Sequence, residues 1–66
     1  MDPKYPGIQV QLSGEDGNAF FILGTVIREM KKYKVPQKDI DTFREEATSG
    51  DYDNLLQTCM KYVEVM

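Results

Sequence analysis

Apolar and polar positions alternate over residues 8–12: Ile8, Val10 and Leu12 fall on one side, Gln9 and Gln11 on the other. Period-two alternation with β-branched residues predicts a strand with one buried face. The period then changes. Ala19, Phe20, Leu23, Val26, Ile27, Met30 and Tyr33 recur at helical spacing, and basic residues gather at the far end, where the helix dipole favours them. Phe21 and Ile22 lie off that stripe, so the first half of this helix is apolar nearly all round. That is the mark of a central helix or of one that packs on a second subunit. Val35-Pro36 divides it from a second helix over residues 36–48, because the residue before proline disfavours helical angles and proline suits a first helical position. Ile40, Phe43 and Ala47 give this helix a narrow apolar stripe, and Gly50 follows as a natural left-handed stop. A third helix starts near Asp51, a good N-cap. Tyr52, Leu55, Leu56, Cys59, Met60 and Val63 make the cleanest amphipathic pattern in the chain. Residues 62–66 alternate again and can fray, extend the helix or pair as a short strand with residues 8–12. A lone strand leaves its backbone groups unpaired, so it needs either this tail or the same strand of another subunit.

The stretch SGEDGN, residues 13–18, joins the strand to the first helix. Gly14 and Gly17 permit positive φ angles, and Asp16 or Asn18 can cap the helix. Asp16-Gly17 is also a hairpin signal, and AFFILGTVI is rich in strand formers; the helical spacing and the basic far end favour the helix. Gly24 costs that helix about 1 kcal/mol relative to alanine, which is either offset by close approach of another backbone or simply tolerated. Residues 1–6 carry Pro3 and Pro6 and read as an extended arm, since proline lacks an amide donor and fixes its φ. The expected fold is α+β and mostly helical. Residues 1–66 form one small domain with an N-terminal strand, three helices and an optional short C-terminal strand.

Composition sharpens this picture. A chain of 66 residues buries only about 60% of its unfolded surface, and scaffolds of that size usually add disulfides, a metal or a partner subunit. Cys59 is the only cysteine and histidine is absent, which excludes an intrachain disulfide and a Cys-His zinc cluster. Efficient helix packing or self-association remains, and a dimer-based homo-oligomer is expected. The net charge of −3 argues against general nucleic-acid binding. Its distribution is uneven: Arg28, Lys31, Lys32, Lys34 and Lys38 stand together, and Asp39, Asp41, Glu45, Glu46, Asp51 and Asp53 follow. That polarity suits antiparallel or head-to-tail self-docking, or is an ordinary pair of solvated faces. The N-terminus lacks the apolar core of a signal peptide, and no apolar run approaches the roughly 20 residues of a membrane span. A cytoplasmic protein with a reduced cysteine, and no membrane partner, is the expectation.

Little catalytic chemistry is available. Ser-His-Asp or Cys-His catalysis needs a histidine base, no Ser-x-x-Lys pairing replaces it, and Cys59 sits on an apolar stripe where a thiol is inert. The carboxylate pairs Glu15/Asp16, Asp39/Asp41, Glu45/Glu46 and Asp51/Asp53 fall in turns or on polar faces, without the expected burial that would fit one partner for acid/base work. Asp51-Tyr-Asp53 lacks the glycine and distal glutamate of an EF-hand loop. No metal site, cofactor or enzymatic activity is expected. The best site candidate is the glycine-rich turn: free amides at a helix N-terminus beside flexible glycines can cradle an anion. It is neither a P-loop nor GxGxxG. Gly14, Asp16, Gly17 and Asn18 would offer amides and polar groups. Arg28 and Lys4 would neutralise the anion, and Tyr5 or Tyr52 could stack on a base. The rival reading is a capped strand-to-helix connection.

The segments SGEDGNAFFILGTV and IDTFREEATSGDYDNLLQTCMKYVEV resemble a family of short uncharacterised proteins from bacteria, phages and prophages, which share a DGNAF-type turn and an SGDYDxLL-type segment. The resemblance covers residues 7–65 and carries no established activity. Its phage association implies, by analogy alone, a small oligomeric protein that counters host defence, as some such proteins do by sequestering nucleotide signals between subunits. Two expectations follow. The first is a non-catalytic binder that sequesters a small anionic, nucleotide-like signalling molecule at a subunit interface. The alternative is a protein-interaction module that inhibits or regulates a host protein through its acidic residues 39–53.

Overall fold

A computed structural model of the chain describes residues 3–12 and 18–66. The architecture is α+β, in the order β1 (Tyr5–Val10), α1 (Ala19–Lys32), α2 (Gln37–Ala47), α3 (Tyr52–Tyr62) and β2 (Val63–Val65). The tail is therefore a strand, and it supplies the pairing that the first strand needs. β1 and β2 run parallel, with Tyr5 opposite Val63, Gln9 opposite Glu64 and Val10 opposite Val65. The Met66 amide donates to the Val10 carbonyl at 2.9 Å, and the Lys4 amide to the Lys61 carbonyl at 2.8 Å. β1 takes in Tyr5 and Pro6, which lie in the segment expected to be only an arm. The ladder is irregular between Tyr5 and Gln9, and Pro6, with no amide to donate, sits in that irregular stretch.

Five of the six helix ends have an identifiable local cause. The Asn18 carboxamide oxygen accepts from the Phe20 and Phe21 amides at 2.8 and 3.3 Å, capping α1. At the other end, the Val35 amide donates to the Met30 carbonyl and the Lys34 amide to the Lys31 carbonyl, both at 3.0 Å. This crossed pair is a Schellman closure, and its left-handed position is filled by Lys34, at φ 61°. Pro36 stands at the N-cap of α2 rather than inside it, and its carbonyl accepts from the Asp39 and Ile40 amides. Asp51 caps α3 by accepting from the Asn54 amide at 2.9 Å. Gly50 does not adopt the left-handed angle expected of it. Instead the Thr48 and Ser49 hydroxyls close α2 by donating to the Arg44 and Glu46 carbonyls, each at 2.7 Å. Gly50 is needed for space: a Cβ there would come within 3.0 Å of Asn54, whose side chain donates to the Glu46 carbonyl.

The core joins Ile8 and Val10 of β1 to faces of all three helices and to Val63. At its centre, Phe43 is fully buried and meets the Tyr62 ring edge-on, with centroids 5.3 Å apart. Ile40, Phe43 and Ala47 are the buried residues of α2, as its stripe predicts. The other two helices are turned from their predicted faces. α1 buries Ile22 with Val26, Ile27 and Met30, while Ala19, Phe20 and Tyr33 of the predicted stripe are exposed. α3 buries Thr58 and Tyr62 with Leu55 and Cys59, and leaves Tyr52 and Met60 exposed. α1 is apolar around most of its circumference, so packing rather than pattern selects its buried side. In α3 the contact of Tyr62 with Phe43 sets the rotation, and burial of Thr58 costs little because its hydroxyl donates to the Asn54 carbonyl at 2.8 Å. Among the described residues, no helix is long and apolar enough to cross a membrane.

Candidate ligand-binding site

The start of β1 and the α1–α2 junction face one another across an open depression of about 410 Å³. β1 contributes Tyr5, with Lys4 immediately before it, and the junction contributes Tyr33, Lys34 and Pro36. The junction is held in place by the Schellman closure and by the burial of Val35 in the core. β1 is held by its ladder to β2 and by a polar bridge to α2. The Tyr5 hydroxyl donates to the Asp39 carboxylate, and the Lys4 ammonium lies 3.5 Å from the same carboxylate. Lys4 also stands 5.9 Å from the centroids of both the Tyr5 and Tyr62 rings. Below it, Glu46 accepts from Lys61 at 2.9 Å and from the Tyr62 hydroxyl at 3.3 Å.

These contacts set the local electrostatics. The Tyr5 phenol is pushed up to about 12, first by donating to Asp39, then by burial and by the Asp39 charge. The Asp39 carboxyl is held below its ordinary value, first by the Tyr5 hydroxyl and then by Lys4, against an opposing effect of burial. Glu46 is lowered, chiefly by its hydrogen bond from Lys61, and Tyr62 is raised, chiefly by burial. Burial also pushes the Cys59 thiol up to about 11. Each shift moves its group away from neutral pH, so these groups keep fixed charges rather than exchange protons there. Lys4 and Lys34 line the depression together with the Tyr5 and Tyr33 side chains, and Lys4 also pairs with Asp39. Such a rim can hold a phosphate-like group and stack a planar ring at the same time.

The residues singled out from the sequence do not gather in one place. Lys4 and Tyr5 share the depression just described. Tyr52 lines a separate groove between the first turn of α1 and the start of α3. Arg28 is exposed on α1 and lines neither. Asn18 is engaged in capping α1. Gly14, Asp16 and Gly17 lie outside the described residues. Sequence reasoning missed Tyr33 and Lys34 as site residues, because Tyr33 completed an apolar period and Lys34 was one of several basic residues. A usable signal was present: KYKVP closes a helix without the glycine that such closures usually carry. Among the described residues, Lys34 is the non-glycine residue with a left-handed backbone, and backbone strain of that kind concentrates at functional positions. No family model, no curated protein and no solved structure matches the chain.

Proposed function

We propose that this protein is a non-catalytic binder of a small anionic, nucleotide-like molecule, held in the depression between β1 and the α1–α2 junction. The observation that carries this reading is the pairing of two lysines with two tyrosines around a hollow of about 410 Å³, within the usual volume of small-molecule sites, about 300–1,000 Å³. Lys4 and Lys34 would meet the anionic groups. The half-exposed Tyr33 ring would stack on a base, a contact worth about 1–3 kcal/mol. A lysine standing at a backbone position that suits glycine supports a role for its side chain. With the phage-type resemblance of the sequence, this chemistry fits sequestration of a signalling nucleotide against host defence. Calorimetric titration with cyclic di- and trinucleotides and ADP-ribose derivatives tests the reading. Binding by the wild type, weakened at least about tenfold in Tyr33→Ala and Lys34→Gly, supports it; no heat with any of these ligands ends it.

A second reading, a module that regulates a host protein, rests on the exposed carboxylates Asp41, Glu45, Asp51 and Asp53. Asp39 and Glu46 are less available, since each is tied to a lysine of its own chain. Reversing Asp41 and Glu45 to lysine should then release a captured host partner without disturbing the fold. Retention of every partner rejects it.

A further inference from the structure

One side of α1 is apolar and uncovered. Phe20 is 85% exposed and Phe21 42%. At about 100° per residue, Phe20, Phe21, Gly24, Arg28 and Lys31 fall within an arc of about 100°, opposite the buried side that carries Ile22, Val26 and Met30. Among the described residues, a Cβ built on Gly24 meets nothing within 4 Å, so none of them uses the close approach that this glycine permits. Beside the first turn of α1 lies the second groove, of about 350 Å³, with Leu23, Ala47 and Leu55 among its apolar lining and Asp51 and Tyr52 at the start of α3. The surface thus has an apolar centre, a basic end at Arg28 and Lys31, and an acidic end at Asp51, with Asp53 close by in sequence.

We infer that this surface pairs with a second copy of itself, α1 against α1 in antiparallel fashion, across a two-fold axis at Gly24. A two-fold contact places the same patch on both partners, so the basic end of each copy meets the acidic end of the other, twice. A different partner would have to match both signs and the apolar centre; this chain already carries all three. With Gly24 opposite Gly24, Arg28 of one copy lies over Phe20 of the other, a favourable stacking of guanidinium on an aromatic face. Lys31 reaches about 4.5 Å further along the axis, towards the partner copy's α3 start. The helix dipoles oppose, which also favours the arrangement. Burial of Phe20 and Phe21 supplies the apolar contact that a lone copy leaves in water. None of the residues around Lys4 and Lys34 takes part, so this pairing stands or falls apart from the ligand.

Sedimentation velocity and native mass spectrometry of the full chain test the pairing. The wild type should dimerise with rising concentration. Phe20→Lys, which sets a cation against the partner copy's Arg28 at a position that contributes little to the fold, should raise the dissociation constant at least about tenfold with the circular dichroism unchanged. Gly24→Cys should give a disulfide-linked dimer under mild oxidation, while Thr42→Cys, also exposed but on α2, forms no such crosslink; Cys59 is buried and does not compete. A wild type monomeric at every concentration overturns the inference. So does a dimer indifferent to Phe20→Lys, or one in which Gly24→Cys crosslinks no faster than Thr42→Cys.

Discussion

Replacing Lys34 by glycine should make the protein more stable and bind less well. Lys34 holds φ at 61°, where a Cβ crowds the neighbouring carbonyl at a cost of about 1–2 kcal/mol. Glycine removes that crowding and keeps the two amide bonds of the closure, those of Lys34 to Lys31 and of Val35 to Met30. It also loosens the unfolded chain, which offsets about 0.4–1 kcal/mol. The net gain is about 0.5–1 kcal/mol. For 66 residues, an unfolding entropy of about 2.1 cal/mol/K per residue turns this gain into a rise in Tm of about 4–7 °C. Thermal melts of the wild type, Lys34→Gly and Lys34→Ala at low micromolar concentration read it directly. Alanine removes the charge and keeps the Cβ, so it should not share the rise. If Lys34→Gly melts at or below Lys34→Ala, the strain argument is refuted. In the same variant, loss of nucleotide binding alongside the rise in Tm would place stability and function in opposition at one residue.

Other outcomes follow from the same structure. The raised Tyr5 phenol contributes stability that is whole below its unfolded value of 10.0 and is lost as pH rises through about 12; urea melts should show the advantage of wild type over Tyr5→Phe shrinking across that window. The lowered Asp39 carboxyl acts in the opposite sense, contributing above its unfolded value of 3.8 and losing that contribution as pH falls below it, so the advantage of wild type over Asp39→Asn should vanish in acid. Cys59, fully buried and with its thiol raised to about 11, should react with a thiol reagent only as fast as the chain unfolds; rapid labelling of native protein would contradict its place in the core. Phe43→Ala removes the central ring at a cost of about 3–5 kcal/mol, against a total of about 3–10 kcal/mol for a domain of this length, and should abolish the cooperative melt.

Local rules carried much of the fold. Asn18 and Asp51 cap where their side chains allow, the proline after Val35 divides two helices, and the narrow stripe of α2 admits one orientation. The faces of α1 and α3 were not legible, because each has more apolar residues than its neighbours can cover. Rotation there depends on which side β1 and Phe43 happen to meet, and that is a property of the assembled chain. Gly50 shows the same limit: its composition suggests a backbone angle, whereas its role is the space it leaves for Asn54. Half of the candidate site was visible as Lys4 and Tyr5. Its other half comes from the α1–α2 junction, far away in sequence, and the two meet through the parallel pairing of the strands and the contacts of Lys4 and Tyr5 with Asp39.

That pairing also fixes how the molecule bears load. Gln9 and Glu64 are register partners 55 positions apart, and the strands that hold them point the same way. Tension applied through the residues before β1 and after β2 therefore slides the strands along one another. The bonds at Lys4 and at Met66 are strained together, whereas a hairpin pulled at its open end yields one rung at a time. A sheet of only two strands thus acts as a clasp, and a protein threaded from either side meets its firmest resistance before any helix is disturbed.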